Sequence, residues 1–348
     1  MSDWITGREI VAAAKHASAW RTAVALGAGD GVLITSESGF TKAPQYKDDD
    51  SLGNPDILET YKMLESLSGP SLSGYLRYES WDVLLAHALG TAGTPTQVES
   101  TAYYNTYSPA DNIAGKFVTL AMKKSATTHN IWEIPSAKVT GFTISGRVGE
   151  FQTISINLMG NKLENQSAVN TSLSSVTYPT KQNLIKFDTR TKFRMNTQSG
   201  DALSDSDIIY PMSYEITYQR PHQENFEAMY ADASEPVQSG FATATIKLGF
   251  DKYSSDTFMD SIAADTEKKM DVLFEGDIIA GSTRYTLRFD LPKIRWQTGE
   301  APVSGPGTIP HNLTGRLLGV SSAPTGMTGV TDPLSMYVVN TRTTDPST

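Results

Sequence analysis

The sequence predicts a mainly β protein of two similar halves, each carrying a short helix. Three observations carry that expectation. Strand-length stretches alternate with period two, as at 153–158, where Ile154, Ile156 and Leu158 interleave with Thr153, Ser155 and Asn157. Helical spacing is confined to short stretches. The order strand, polar insertion, strand, short helix, strands and Pro-led hairpin occurs twice, displaced by roughly 160–180 positions, the mark of an internal repeat.

Taken in order, residues 7–20 (GREIVAAAKHASAW) place Ile10, Val11, Ala14 and Ala17 near helical spacing and predict a short amphipathic helix. Residues 31–40 are β-rich, and 71–79 alternate Leu72, Gly74, Leu76 and Tyr78 against polar neighbours. Between them lies a polar insertion, 41–70, with Asp48-Asp49-Asp50 near its centre. A helix is expected over 80–89: Ser80 suits an N-cap, Trp81, Leu84, Leu85 and Ala88 share a face, and Gly90 stops it. A Thr/Tyr-rich loop (91–112), a strand (116–122) and a hairpin pairing 139–145 with 151–158 complete the first half.

Residues 161–185 read as a polar joint. Beyond it come a strand at 211–220, a second insertion (221–240), a strand at 241–250 and a helix opening near Ser255. Strands at 270–275 and 284–291 follow, then Pro292 in the place of Pro135, and a final pair at 293–298 and 312–320. The expected division is an N-terminal arm (1–26), a first domain (27–165), a linker (166–190), a second domain (191–324) and a C-terminal tail (325–348).

Composition narrows the function. With no cysteine there is no disulfide framework, thiolate metal site or Cys nucleophile. A net charge of −9 argues against gripping nucleic-acid phosphates. No apolar run approaches the roughly 18 residues of a membrane helix, and the first residues lack the basic and apolar regions of a signal peptide. The five histidines form no ligand motif in sequence. The Gly27-Ala28-Gly29-Asp30-Gly31 run precedes a strand, not a helix, so it is no phosphate cradle. Asp48-Asp49-Asp50 lacks the spacing of a calcium loop. No catalytic, cofactor or metal site is expected. Tyr103, Tyr104 and Tyr107 suit either a large protein interface or a carbohydrate platform.

Three stretches carry a family likeness: 75–90 (YLRYESWDVLLAHALG), 131–160 (IWEIPSAKVTGFTISGRVGEFQTISINLMG), and 236–249 (PVQSGFATATIKLG) leading to 284–292 (RYTLRFDLP). Together they resemble the tail tube (major tail) proteins of long-tailed bacteriophages over about 25–320. The resemblance implies two tandem tail-tube-like β-sandwich/barrel domains, each with a short flanking α-helix, whose strands join a barrel around a ring, with rings stacked into a hollow tube through which DNA is ejected. With a duplicated chain, three copies make a ring of pseudo-sixfold symmetry, and a hexamer is the fallback. It also implies tape-measure, tail-terminator and tail-tip partners, a place in the virion tail after synthesis in the host cytoplasm, and DNA that passes without specific binding.

Candidate site residues follow from that likeness. Tyr46, Lys47, Asp48, Asp49 and Asp50 in one insertion, and Glu224, Asn225, Phe226 and Glu235 in the other, are candidates for ring-to-ring contacts. Met336, Tyr337, Val338 and Val339 form an apolar tail strand, costly to leave in water, that either augments a neighbour's sheet or packs back on its own domain. Glu150 and Asp290 are candidates for an acidic lumen that repels phosphates. The rival reading is a carbohydrate-binding adhesin or receptor-binding virion protein built on two β-sandwich domains.

Overall fold

Alternating Ile, Leu and Phe against Ser and Thr becomes strand throughout the computed structural model, which describes residues 7 and 10–348 except 43, 50, 52–59, 125–130, 166 and 180–182. In chain order the first half holds β1 (Val11–His16), β2 (Gly31–Val32), β3 (Ser36–Ser38), β4 (Pro44–Asp48), β5 (Thr60–Glu65), β6 (Leu67–Tyr75), α1 (Asp82–Leu89), β7 (Gly90–Thr91), β8 (Thr96–Glu99), β9 (Ala102–Pro109), β10 (Val118–Lys123), β11 (Ile131–Arg147) and β12 (Thr153–Gly160). The second half holds β13 (Thr191–Thr197), β14 (Ile208–Ile209), β15 (Ser213–Gln219), β16 (His222–Asn225), β17 (Ser234–Gln238), β18 (Thr243–Phe250), α2 (Thr257–Ala263), β19 (Lys268–Ala280), β20 (Thr283–Glu300), β21 (His311–Leu317) and β22 (Ser335–Asn340).

One antiparallel path runs β3–β6–β12–β11–β15–β18–β21–β20 and crosses from the first half to the second at β11·β15. The long strands β11 and β20 also belong to a second layer: β11 through β10, β1 and β2, and β20 through β19, β13 and β14. Leu72, Ile156, Phe142, Ile216, Ile246 and Leu313 point inward from successive strands of the main path and share one continuous core. Fully burying each such side chain is worth about 1.5–3 kcal/mol, so the core holds both halves as one body.

The halves repeat register for register. Val118 faces Ala137 and Leu120 faces Ile134, so β11 carries one extra residue at Pro135-Ser136. Lys268 faces Ile294 and Met270 faces Leu291, which puts the same bulge at Pro292-Lys293. A second bulge falls at Thr140 in β11 and at Gln297 in β20. Even the short ladders agree: Ala12 faces Val32 as Phe193 faces Ile209.

Several expectations need correction. The 7–20 helix is instead β1, where Ala12, Ala13 and Ala14 are all buried because layers cover both faces. Ser80 does not cap α1; it sits at φ 92°, its hydroxyl bonds Gly31 O and Leu33 N, and Trp81 takes the N-cap position. Gly90 does end the helix, in the left-handed conformation. The expected loop 91–112 contains β7, β8 and β9. Neither Pro135 nor Pro292 starts a new strand; each rides inside a longer one, at a bulge that tolerates its missing N–H. Among the described residues of 166–190 no named strand occurs, but Leu173, Ile185 and Phe187 are buried, and Ile185 bonds the backbone of Leu76 and Gln152. The described part of the expected N-terminal arm is likewise fastened: Trp20 Nε1–H bonds Ala233 O, and Arg21 pairs with Asp232.

Candidate functional site

Because alternate side chains of the main path face away from the core, its other face is a single polar surface. Hydroxyls link its strands: Ser38 to Ser71 (2.8 Å), Ser73 to Ser155 (3.2 Å), Ser145 to Thr153 (2.9 Å) and Thr143 to Thr217 (3.2 Å). Farther along, Lys247 pairs with Glu215 at 2.7 Å, so the charges there neutralise one another. A shallow groove of about 440 Å³ lies on this face at the β11·β15 crossing, bordered by Arg147, Glu150, Ser213 and Asn312.

Glu150 is exposed in the β11–β12 turn at the rim of this face. Asp290 lies elsewhere, which corrects its assignment to an open acidic wall. It is 4% exposed, pairs with Arg288 at 2.9 Å, and sits opposite Asp271, which Arg194 holds. Burial pushes its carboxyl above the usual carboxylate range, with Arg288 opposing.

Both polar insertions form two-stranded hairpins, β4·β5 and β16·β17, and the base of the first meets the turn of the second where Glu65 bonds the 231–233 backbone. Tyr46, Lys47 and Asp48 lie on β4, where Asp48 accepts Thr60 Oγ1–H; Asp49 follows, bonded to Ser51; Asp50 lies outside the described residues. Glu224 and Asn225 lie on β16, with Phe226 just after it. These hairpins and their flanks expose Tyr46, Tyr61, Met63, Met229, Tyr230 and Phe241, apolar area that a folded chain otherwise hides. Glu235 does not join them: it faces inward and pairs with Lys138, itself 2% exposed, and accepts Gly115 N–H. Burial lowers the Lys138 pKa, and Glu235 counters that.

The tail strand adds to a sheet, but to its own. Met336, Tyr337, Val338 and Val339 lie in β22, which pairs with β20 on one side and β9 on the other, so neither edge is left for a neighbour. Tyr103, Tyr104 and Tyr107 consequently sit on a paired strand. Tyr107 is 1% exposed, and no loop platform forms.

One pairing escaped sequence reasoning: His16 and His87, 3.0 Å apart between Nδ1 and Nε2. His87 Nδ1–H donates to Val83 O, so the neutral His87 ring presents Nε2 as acceptor to His16 Nδ1–H. Burial lowers the His87 pKa to about 4. Among the described residues no three His, Asp or Glu side chains converge as a metal site would need, and no helix is long and apolar enough to cross a membrane.

A family model described as phage tail tube protein matches residues 7–317. No curated protein matches the chain.

Proposed function

The chain belongs to the phage tail tube protein family, and from that premise we propose that three copies close a ring of pseudo-sixfold symmetry whose stacking builds the conduit for ejected DNA. The observation that carries this reading is the register-for-register repeat of the two halves about the β11·β15 crossing. A chain that already holds two equivalent units needs half as many copies to complete a ring, and closure by heterologous contacts removes free sheet edges. The polar face of the main path then turns to the lumen. Hydroxyls dominate it, Lys247 is paired with Glu215, and Glu150 as well as Arg147 borders its groove, so passage relies on a hydrated, near-neutral wall more than on the acidic one expected from composition.

The two insertion hairpins, with their exposed Tyr46, Met63, Met229 and Phe241, are the proposed ring-to-ring contacts. The ends of such a tube meet tail-terminator and tail-tip proteins, and its bore holds the tape measure. The site of action is the virion tail, after synthesis in the host cytoplasm. The adhesin reading loses its main support with the tyrosine loop, since those residues are on β9.

Negative-stain electron microscopy of the purified chain across concentration tests the proposal. Hollow rods or ring stacks with threefold top views are expected. Strict sixfold views replace the trimer by a hexamer, and persistent monomers that bind glycans replace the tube by the adhesin.

A further inference from the structure

The internal crossing has a counterpart that the single chain leaves open. At the crossing, residues 141–147 of β11 pair with 213–219 of β15, with Phe142 opposite Tyr218 and Ile144 opposite Ile216. The repeat carries Pro135 onto Pro292 and, at the same spacing, Gly141 onto Thr298 and Arg147 onto Ser304. It likewise carries β15 back onto β3, since Ser38 faces Ser71 as Glu215 faces Lys247. Yet among the described residues the β20 edge from Thr298 onward has only the strand β21 beside it, and β3 has only β6. Resting on the tube reading, we infer that these two edges join between copies: residues 298–304 of one chain pair antiparallel with 36–42 of the next, in the register of the internal crossing.

The sequence at this edge fits a joint held in waiting. Arg220 N–H bonds Thr140 O and Val148 N–H bonds Met212 O, so even-numbered residues of β11 turn their backbone groups toward β15 and odd-numbered ones toward β12. By the repeat, Gly299, Ala301 and Val303 face the incoming strand, and none is proline. Pro302 and Pro310 stand where Ser145 and Thr153 face one another in the first hairpin. Lacking N–H groups, they cannot form that rung, so residues 301–310 carry no ladder while the outer edge keeps its donors. Val303 is 73% exposed; by the repeat its side chain shares the inward face of Phe142 and Ile144, and the joint would cover it. The occupant is a second copy, because β3 already shows in β15 what lies on such an edge.

Cysteine pairing tests this, since the chain has no cysteine of its own. Ser36→Cys with Ser304→Cys places thiols at a non-hydrogen-bonded pair, where Cα atoms are about 4.5 Å apart and a disulfide fits. Within one chain these positions lie on opposite edges of eight strands, about 33 Å apart at the usual strand spacing, so any disulfide is between copies. The expected result on oxidation of assembled protein is a closed covalent trimer on non-reducing gels. Ser36→Cys with Thr298→Cys should stay uncrosslinked. Hydrogen exchange at Gly299, Ala301 and Val303 should slow at least tenfold on assembly. Rods that give no Ser36–Ser304 crosslink, or that crosslink Thr298 instead, overturn the joint and leave the tube standing. Monomer at every concentration, by microscopy and gel alike, overturns both.

Discussion

Tyr104 of β9 and Tyr337 of β22 stack with ring centroids 5.5 Å apart and planes 26° from parallel, and the Arg288 guanidinium lies 5.0 Å over the Tyr337 ring. The contact joins a strand of the first half, a strand of the second and the last strand of the chain. Val338, beside it, is buried. Val338→Asp places an unpaired carboxylate in that core and should cost at least roughly 3 kcal/mol. Urea unfolding of the monomer measures it; an unchanged midpoint would mean that β22 does not hold the fold.

The crossing between halves admits no side chain at Gly141, where a Cβ would lie 2.5 Å from Tyr218 O. Gly141→Ala is expected to destabilise by about 1–3 kcal/mol, the usual cost of overpacking. Gly249→Ala meets only the Ser213 hydroxyl first, which can rotate away, and serves as the comparison. Equal shifts in the two unfolding midpoints would contradict a backbone clash at the crossing.

Lys138 and Glu235 make an asymmetric pair, with side chains 2% and 28% exposed. Glu235→Ala strands a buried ammonium and should cost about 2–3 kcal/mol, below the fully buried range because water reaches the carboxylate. Lys138→Met should cost less, since the charge leaves with its partner's burden. If Glu235 instead served ring stacking, its loss would shorten rods without moving the monomer's melting temperature.

Buried neutral His87 makes stability depend on pH. Its folded pKa, about 4, lies below the 6.5 of an ordinary histidine, so the unfolded chain takes up the proton first. The contribution is complete above pH 6.5 and is lost as pH falls toward 4, amounting to about 3 kcal/mol. His87→Gln should flatten that part of the stability profile. A profile identical to the parent's would place the acid sensitivity elsewhere.

On the proposed assembly, ring stacking is separable from ring closure. Tyr46→Ser with Met229→Ser removes exposed apolar area from both insertion hairpins and leaves the core untouched. Single rings without rods are expected by microscopy; rods of normal length would move the ring-to-ring contact to another surface.

What the sequence made legible was one-sided burial. Ile154, Ile156 and Leu158 announce a strand because only one face of β12 meets the core. Residues 11–16 gave the wrong period because both faces are covered, and three consecutive buried alanines leave no alternation to read. Tyr103 and Tyr104 looked like loop residues because their local partner β8 is short and exposed, and the strand on the other side, β22, comes from near the other end of the chain. Glu235 looked like a surface acid because its partner Lys138 is distant in sequence, and Asp290 because the strands that bury it, β19 and β22, carry no local mark of doing so. The open edges of β3 and β20 required register, which composition does not carry.

The β11·β15 crossing also bears on the kinetics of growth. A contact made within a chain forms at an effective concentration fixed by the connecting segment, whatever the dilution. For a ring of such chains, half of the joints are complete before any two molecules meet. Fewer encounters then separate monomer from closed ring, and the loss of translational freedom falls on fewer bodies. The dependence of assembly rate on concentration should accordingly be shallower than for a ring of undivided single units.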